Sequence, residues 1–405
     1  MDHDLTLDGR TAIVTGAANG LGRAEALALA QAGAAVVLND LAGPGVHAVA
    51  DEITAVGGRA VACDGDVGAW TTGEAMLAAA LGTFGGLDIV VNNTGVLRDR
   101  MVFTMSPQEW DLVLRVHLRG HFIGTRLATA YWRDQSKRAG GPVYGRIINT
   151  SSEAFLLGSA GQPNYAAAKA GITALTVTTA RSCAKYGVRA NAICPRARTS
   201  MTADLLGAAP AGGADPLAPE HVAPLVTYLA GPAGEAINGE VFVVHGGVAA
   251  VMDPPRVRTV FRTADASMWT LDSVAEAIGP AFTGDGSAAG FACEDTLSLA
   301  SETIGSVAAP REAARPGRDV GSRSRRVSPG RTQGSARDQR PGRVPAPGDH
   351  VLRDERRADH VLDLPQVAEG AQPRARSAHF LPDRGRRGVL RPAGRPRARC
   401  GQADR

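Results

Sequence analysis

Seven short runs, T-A-I-V-T, A-V-V-L-N, A-V-A-C, D-I-V-V-N, R-I-I-N-T, R-A-N-A-I-C and E-V-F-V-V, recur between Thr11 and about Gly247. Most are apolar along their length rather than at every second residue. Strands that read this way are buried on both faces. The Ala- and Leu-rich stretches between them are long enough for a crossover helix. This alternation predicts an α/β fold, a doubly wound parallel sheet with helices on both sides. In such a sheet a ligand sits at the carboxyl ends of the strands.

The pattern stops well before the chain does. Residues 1–250 read as one nucleotide-binding domain. Residues 251–298 read as an ordered C-terminal extension, with Phe261, Trp269, Phe282, Phe291 and a helix over Leu271–Ile278. From 299 to 405 no apolar period survives. Ser301 to Arg405 carries 23 Arg, no Lys, 12 acidic residues and a single aromatic, Phe380. Such a segment buries too little apolar surface to offset its ordering entropy, which predicts disorder. A functional nucleic-acid tail usually clusters its charge and mixes Lys with Arg. This Arg/Pro/Gly/Ala mixture is instead what a GC-rich gene yields when read out of frame. The first 300 residues hold 21 basic and 28 acidic side chains. That balance argues against nucleic acid as a partner of the body.

No run of apolar residues is long enough for a membrane span, and the start Met1-Asp2-His3-Asp4 has no signal core. Cys63, Cys183, Cys194, Cys293 and Cys400 are odd in number and contain no C-x-x-C. They predict neither a disulfide framework nor a metal site, and a reducing, cytoplasmic location.

The first strand runs into T-G-A-A-N-G-L-G, Thr15 to Gly22, and then into an Ala/Leu helix. Glycines there let the backbone approach a pyrophosphate resting on a helix N-terminus. Gly16, Asn19, Gly20, Leu21 and Gly22 are the expected cradle. The second strand ends at Asp40, whose carboxylate can take the ribose hydroxyls of NAD and repel the extra phosphate of NADP. Asp66 and Val67, after the third strand, suit an adenine edge. Asn93 and Gly95, after the fourth, lie on the cofactor side. Tyr165 and Lys169 are four apart, so one helical face presents both. An ammonium beside a phenol favours the phenolate, which makes Tyr165 a general acid/base with Ser152 able to hold the substrate oxygen.

Taken in order, T-G-x-x-x-G-x-G, N-N-x-G and Y-x-x-x-K resemble the short-chain dehydrogenase/reductase family from about Leu7 to Gly247. The family's serine lies 13 residues before its tyrosine, which selects Ser152 over Ser151. R-V-H-L-R-G-H-F, L-R-D-R and G-Q-P-N-Y-A-A-A-K are similar to the (3R)-hydroxyacyl-CoA dehydrogenase part of type 2 peroxisomal multifunctional enzymes. A-N-A-I-C-P-R-A-R-T-x-M-T-A-D and the extension resemble actinobacterial members linked to steroid side-chain β-oxidation.

The resemblance implies a single Rossmann-type domain using NAD to oxidise a secondary alcohol. The implied substrate is a 3-hydroxyacyl-CoA, possibly steroid-derived, and the implied assembly a homo-dimer or homo-tetramer. Alternatives are a 3-oxoacyl thioester reductase, a free hydroxysteroid dehydrogenase, or a nucleotide-binding protein without turnover. The resemblance also implies that Lys169 and Tyr165 hold the nicotinamide ribose and that Thr199 bonds its amide. His117 occupies the place of the asparagine that often joins the catalytic set. Two further departures stand out: Thr94 for the alanine of N-N-A-G, and Arg196 for the glycine of the usual P-G.

Overall fold

A computed structural model describes residues 5–202, 207, 209–210, 215–263, 268–282 and 291–299. Backbone contacts divide the chain into Met1–Ala313 and Ala314–Arg405, and every described residue belongs to the first unit. The expected disordered tail lies, except for Leu299, outside the described residues.

The strands are β1 (Thr11–Thr15), β2 (Ala35–Asp40), β3 (Arg59–Asp64), β4 (Ile89–Asn92), β5 (Gly145–Thr150), β6 (Val188–Pro195), β7 (Val241–His245) and β8 (Val248–Val251). They form one eight-stranded sheet in the order β3-β2-β1-β4-β5-β6-β7-β8. All pairs are parallel except β7 with β8. The sequence pattern anticipated the parallel body. It did not anticipate β8, whose V-A-A-V run is short, half-exposed and returned by the tight turn at Gly246-Gly247.

Side chains divide between the two faces with the strand period of two. Val14, Val36, Leu38 and Val91 pack with Leu29 of α1 (Gly20–Gln31), Val49 and Ile53 of α2 (Pro44–Ala55) and Val226 of the helix Ala223–Ala230. Ile13, Val37, Val90 and Ile147 face the other way. They meet Met76 of α3 (Trp70–Ala79), Ala128 and Trp132 of α5 (Gly120–Ala139), and Ala180 of α7 (Pro163–Cys183). Both faces are therefore covered, which is why these strands read as unbroken apolar runs.

Two details position the site. Helix α4 (Pro107–Leu114) opens with a capping box between Ser106 and Glu109 and passes into α5 through a π-helical turn, Arg115–Arg119. The extra residue in such a turn rotates the helix that follows and is common at functional sites. The extension contains the expected helix at Leu271–Ile278, capped by Thr270. It ends in the short turn Asp295–Ser298.

Candidate active site

The strand order reverses between β1 and β4, and the main cleft opens at their carboxyl ends. Gly16, Asn19, Gly20, Leu21 and Asp40 line one side of it. Asn93, Thr94, Gly95, His117, Tyr165 and Lys169 line the other. Thr199 closes it from the loop after β6.

Local chemistry explains the cofactor half. Gly22 starts the first full turn of α1 so close to the glycine loop that a Cβ there would overlap the Gly16 carbonyl. Only glycine permits that approach. Asn19 is the N-cap of α1, its side chain makes no capping bond, and no acidic residue stands in the first turn. The first N–H groups and the positive end of the helix are thus left for an anion. Asp40 Oδ2 accepts from Ala18 N at 3.0 Å and Oδ1 from Leu41 N at 2.8 Å. The carboxylate is held at the cleft wall by backbone donors. The Thr15 hydroxyl ties this half to the next, accepting from Asn93 N at 3.0 Å and Thr94 N at 3.2 Å. A helix N-terminus without its own anion, facing a fixed carboxylate one strand away, fits a dinucleotide.

Asp66 and Val67 follow the carboxyl end of β3. Burial works to raise the Asp66 carboxyl. The Arg115 guanidinium and the Gly68 N–H outweigh it and leave Asp66 below the usual range. Val67 is buried against Gly120.

In the chemical half, α7 presents Tyr165 and Lys169 one turn apart. Burial raises the Tyr165 phenol to about 12, while a hydrogen bond with the Ser152 hydroxyl works the other way. Burial lowers the Lys169 ammonium to about 7. Its Nζ donates to the Thr150 carbonyl at 2.6 Å and lies 5.3 Å from the Tyr165 ring centre. The sequence led us to expect the ammonium to dominate the phenol. In the free cleft desolvation is the larger influence on both groups. The Ser151 hydroxyl points elsewhere, donating to the Lys169 carbonyl at 3.0 Å and meeting Thr173 Oγ1 at 2.8 Å. Of the two adjacent serines, Ser151 lines the cleft, and Ser152, thirteen residues before Tyr165, is the one whose hydroxyl acts to lower the phenol.

His117 lies in the π-helical turn, its ring edge-on to Tyr165 with centres 5.2 Å apart. Its Nε2 is 2.9 Å from both the N–H and the carbonyl of Val96. In either tautomer the buried Nδ1 has no partner in the protein. Burial, and then the charge of Lys169, hold this imidazole well below its ordinary pKa, so it is neutral. Gly95 makes room for it: a Cβ there would lie 2.5 Å from His117 Cε1.

Three features escaped the sequence reading. His121 sits one turn beyond His117 with Nδ1 2.8 Å from the His117 carbonyl, and burial pushes it down to about 3. Asn92 and Asn149 link β4 to β5 at 2.9 Å, and Asn149 reaches Thr176 at 2.8 Å. Arg196 pairs with Glu153. The two asparagines end their apolar runs and carried that signal. Nothing in the sequence spacing joins residue 196 to residue 153. Among the described residues, no group of His, Cys, Asp and Glu is placed to hold a metal. No helix there is long and apolar enough to cross a membrane.

Comparison with known proteins agrees with this geometry. The pattern defining the short chain dehydrogenases matches residues 10–207. The chain is 53% identical over 300 residues to the hydroxyacyl-CoA dehydrogenase ChsB1 of Mycobacterium tuberculosis, covering 72% of this chain and 94% of that protein. It is 43% identical over 256 residues to the peroxisomal multifunctional enzyme type 2 of Mus musculus, covering 61% of this chain but only 33% of the longer enzyme. A crystal structure of a short chain dehydrogenase from Mycobacterium avium superimposes with a TM-score of 0.61 at 43% identity, over 68% of this chain and 96% of the other.

Proposed function

The chain belongs to the short-chain dehydrogenase family of nucleotide-dependent oxidoreductases, and on that premise we propose that it oxidises 3-hydroxyacyl-CoA thioesters to their 3-oxo forms with NAD. The observation carrying this reading is the placement of Tyr165 and Lys169, 5.3 Å from ammonium to ring centre, in the same cleft as the glycine loop. The 53% identity to a hydroxyacyl-CoA dehydrogenase supports the substrate class. The sequence motifs favour an acyl group of steroid origin. The placement of Asp40 favours NAD over NADP.

In this reading NAD held between the glycine loop and Lys169 would supply the acceptor for a hydride from the carbinol carbon. Tyr165 takes the hydroxyl proton, which requires its phenolate. The raised phenol and the lowered ammonium titrate as a pair, because a proton leaving Tyr165 is favoured while Lys169 is charged. Ser152 donates to the substrate oxygen and fixes it beside Tyr165. Lys169 and Tyr165 also hold the nicotinamide ribose, Thr199 its amide, and Asn93 and Gly95 the loop against which it lies. Asp66 and Val67 complete the adenine end. His117 is a positioning residue whose ring fixes the edge of Tyr165. Its neutral Nδ1 suits a water that returns the proton to solvent. The reading also places the chain in the cytoplasm as a homo-dimer or homo-tetramer. The apolar surface formed by half-buried Leu114 and Leu118 and exposed Phe122 supports self-association.

The test follows NADH absorbance with a steroid side-chain 3-hydroxyacyl-CoA, a linear 3-hydroxyacyl-CoA and a free hydroxysteroid. The thioesters are expected to turn over and the free steroid to lag well behind. Preference for the free steroid would overturn the substrate class. Tight cofactor binding without turnover of any alcohol would overturn the activity.

A further inference from the structure

Arg196 replaces the glycine expected after the sixth strand, and its guanidinium is bound through Nε and Nη2. Nε donates to Glu153 Oε2 at 2.6 Å and Nη2 to Glu153 Oε1 at 2.7 Å, a two-pronged ion pair. Nη2 also donates to the Thr296 carbonyl at 2.5 Å, a hundred residues along the chain. A second contact lies close by, where Cys293 N donates to the Leu156 carbonyl at 2.8 Å.

Both anchor points adjoin the reacting groups. Glu153 follows Ser152, whose hydroxyl accepts from Ala154 N at 3.2 Å at the start of the short helix Ala154–Leu157. Arg196 follows Pro195, which lines the cleft. Thr296 is only 2% exposed although it belongs to the extension. The ion pair is itself largely withdrawn from water, with side-chain exposures of 22% for Arg196 and 10% for Glu153. A paired guanidinium in such a setting holds its geometry far better than a surface pair. Exposed apolar side chains stand close by: Met201 lines the cleft, and Met101 Sδ lies near Gly161, just before α7.

We infer that the Glu153–Arg196 pair seats residues 291–299 as the wall of the substrate cleft on the Ser152 side, and that this wall sets how large an apolar acyl group the enzyme prefers. Arg196 is thus a positioning residue for specificity, and the inference rests on the thioester reading above. A glycine at 196 would leave the Glu153 carboxylate and the Thr296 carbonyl without their shared donor. Of the two hydrogen bonds described, the segment would then keep the one from Cys293 N.

The experiment uses the full chain and two variants, Arg196→Gln and the charge-free pair Glu153→Gln/Arg196→Gln. The double variant guards against a fold lost merely to an unpaired carboxylate. Each is assayed on a bulky polycyclic 3-hydroxyacyl-CoA and on 3-hydroxybutyryl-CoA, and backbone amide exchange is followed over 291–299. In both variants the bulky-to-short ratio of kcat/KM is expected to fall about tenfold, carried by KM of the bulky thioester rather than by kcat. Amides of 291–299 are expected to exchange faster. Faster exchange with an unchanged ratio overturns the wall. Unchanged exchange overturns the seating. If the unmodified chain turns over no thioester, the substrate reading fails, and the same size comparison on free secondary alcohols judges the wall.

Discussion

The two ends of the sheet are built from similar residues and treat them in opposite ways. At the amino end, Arg10 and Arg146 sandwich the Tyr144 ring, each guanidinium 3.8 Å from its centre. Arg10 pairs with Asp88 at 3.1 Å, Tyr144 donates to the Ala230 carbonyl at 2.6 Å, and Glu235 bridges Arg146 and Arg189. Cations, acids and a phenol are stacked into one cluster whose charges are paired, although Arg146 Nε within it has no partner. At the carboxyl end the phenol of Tyr165 is set beside a neutral imidazole and a near-neutral amine. Buried polar atoms such as Thr94 Oγ1, His117 Nδ1 and Thr150 Oγ1 have no protein partner there. Buried polar groups are normally paired, because leaving one unpaired costs about 1–3 kcal/mol. The difference teaches where the chain places stability and where it gives stability up for binding and chemistry.

The largest effect should come from Tyr165→Phe. The ring still packs against His117, so cofactor affinity and Tm should hold, while turnover falls roughly 10²–10⁴-fold. A loss of stability instead would mean the carboxyl end is structural after all. The mirror experiment is Arg146→Ala at the other end. Removing a side chain 1% exposed, its stacking and its bonds to the Gly145 and Gly187 carbonyls should lower unfolding free energy by about 3 kcal/mol. In denaturant titrations that loss should appear with kcat/KM per folded molecule within twofold of the parent. A selective loss of turnover would erase the contrast.

A smaller effect is expected at Asp40. Removing the carboxylate in Asp40→Ala should cost about 1.5–3 kcal/mol of NAD binding and narrow the gap to NADP, measured as the ratio of the two kcat/KM values. Equal use of both cofactors by the unmodified protein would refute the role given to Asp40.

The smallest effect concerns a residue that breaks the rule. Glu25 in α1 is wholly buried with neither oxygen paired, and burial raises its carboxyl from 4.5 to about 8. The folded chain therefore holds a proton that the unfolded chain has lost. Stability contributed by that proton is complete below pH 4.5 and drains away as pH rises toward 8. Glu25→Gln should flatten that slope and stabilise the protein at pH 8 by about 1 kcal/mol, since the buried amide keeps part of the desolvation cost. A Tm difference between variant and parent that is the same at pH 5 and pH 8 would place the ionisation elsewhere.

Much of this was legible because local pattern and global position agree. T-A-I-V-T is β1 residue for residue, and the helix at Leu271–Ile278 falls where its apolar spacing put it. Tyr165 and Lys169 could be named from their spacing, Ser152 only through the family resemblance, and the structure sets Tyr165 and Lys169 in one cleft. What stayed hidden depends on contacts between distant segments. The π-helical turn that brings His117 to Tyr165 has no local signature, and R-V-H-L-R reads as ordinary helix. The dominance of burial over charge at Lys169 follows from packing that no single segment records. Arg196 was visible as a departure, but its partners lie 43 and 100 residues away.

The strand order also has a meaning in time. β1 pairs on one side with β2, which follows it closely, and on the other with β4, where Ala12 meets Ile89. A ribosome therefore delivers β2 and β3 before the strand that covers the second edge of β1. At roughly 5–20 residues per second, some fifty residues of synthesis leave that apolar edge open for seconds. An open edge of this kind is a template for pairing with another chain. The same permutation that opens a crevice for the cofactor thus leaves the newborn protein an open edge on β1 until Ile89–Asn92 docks.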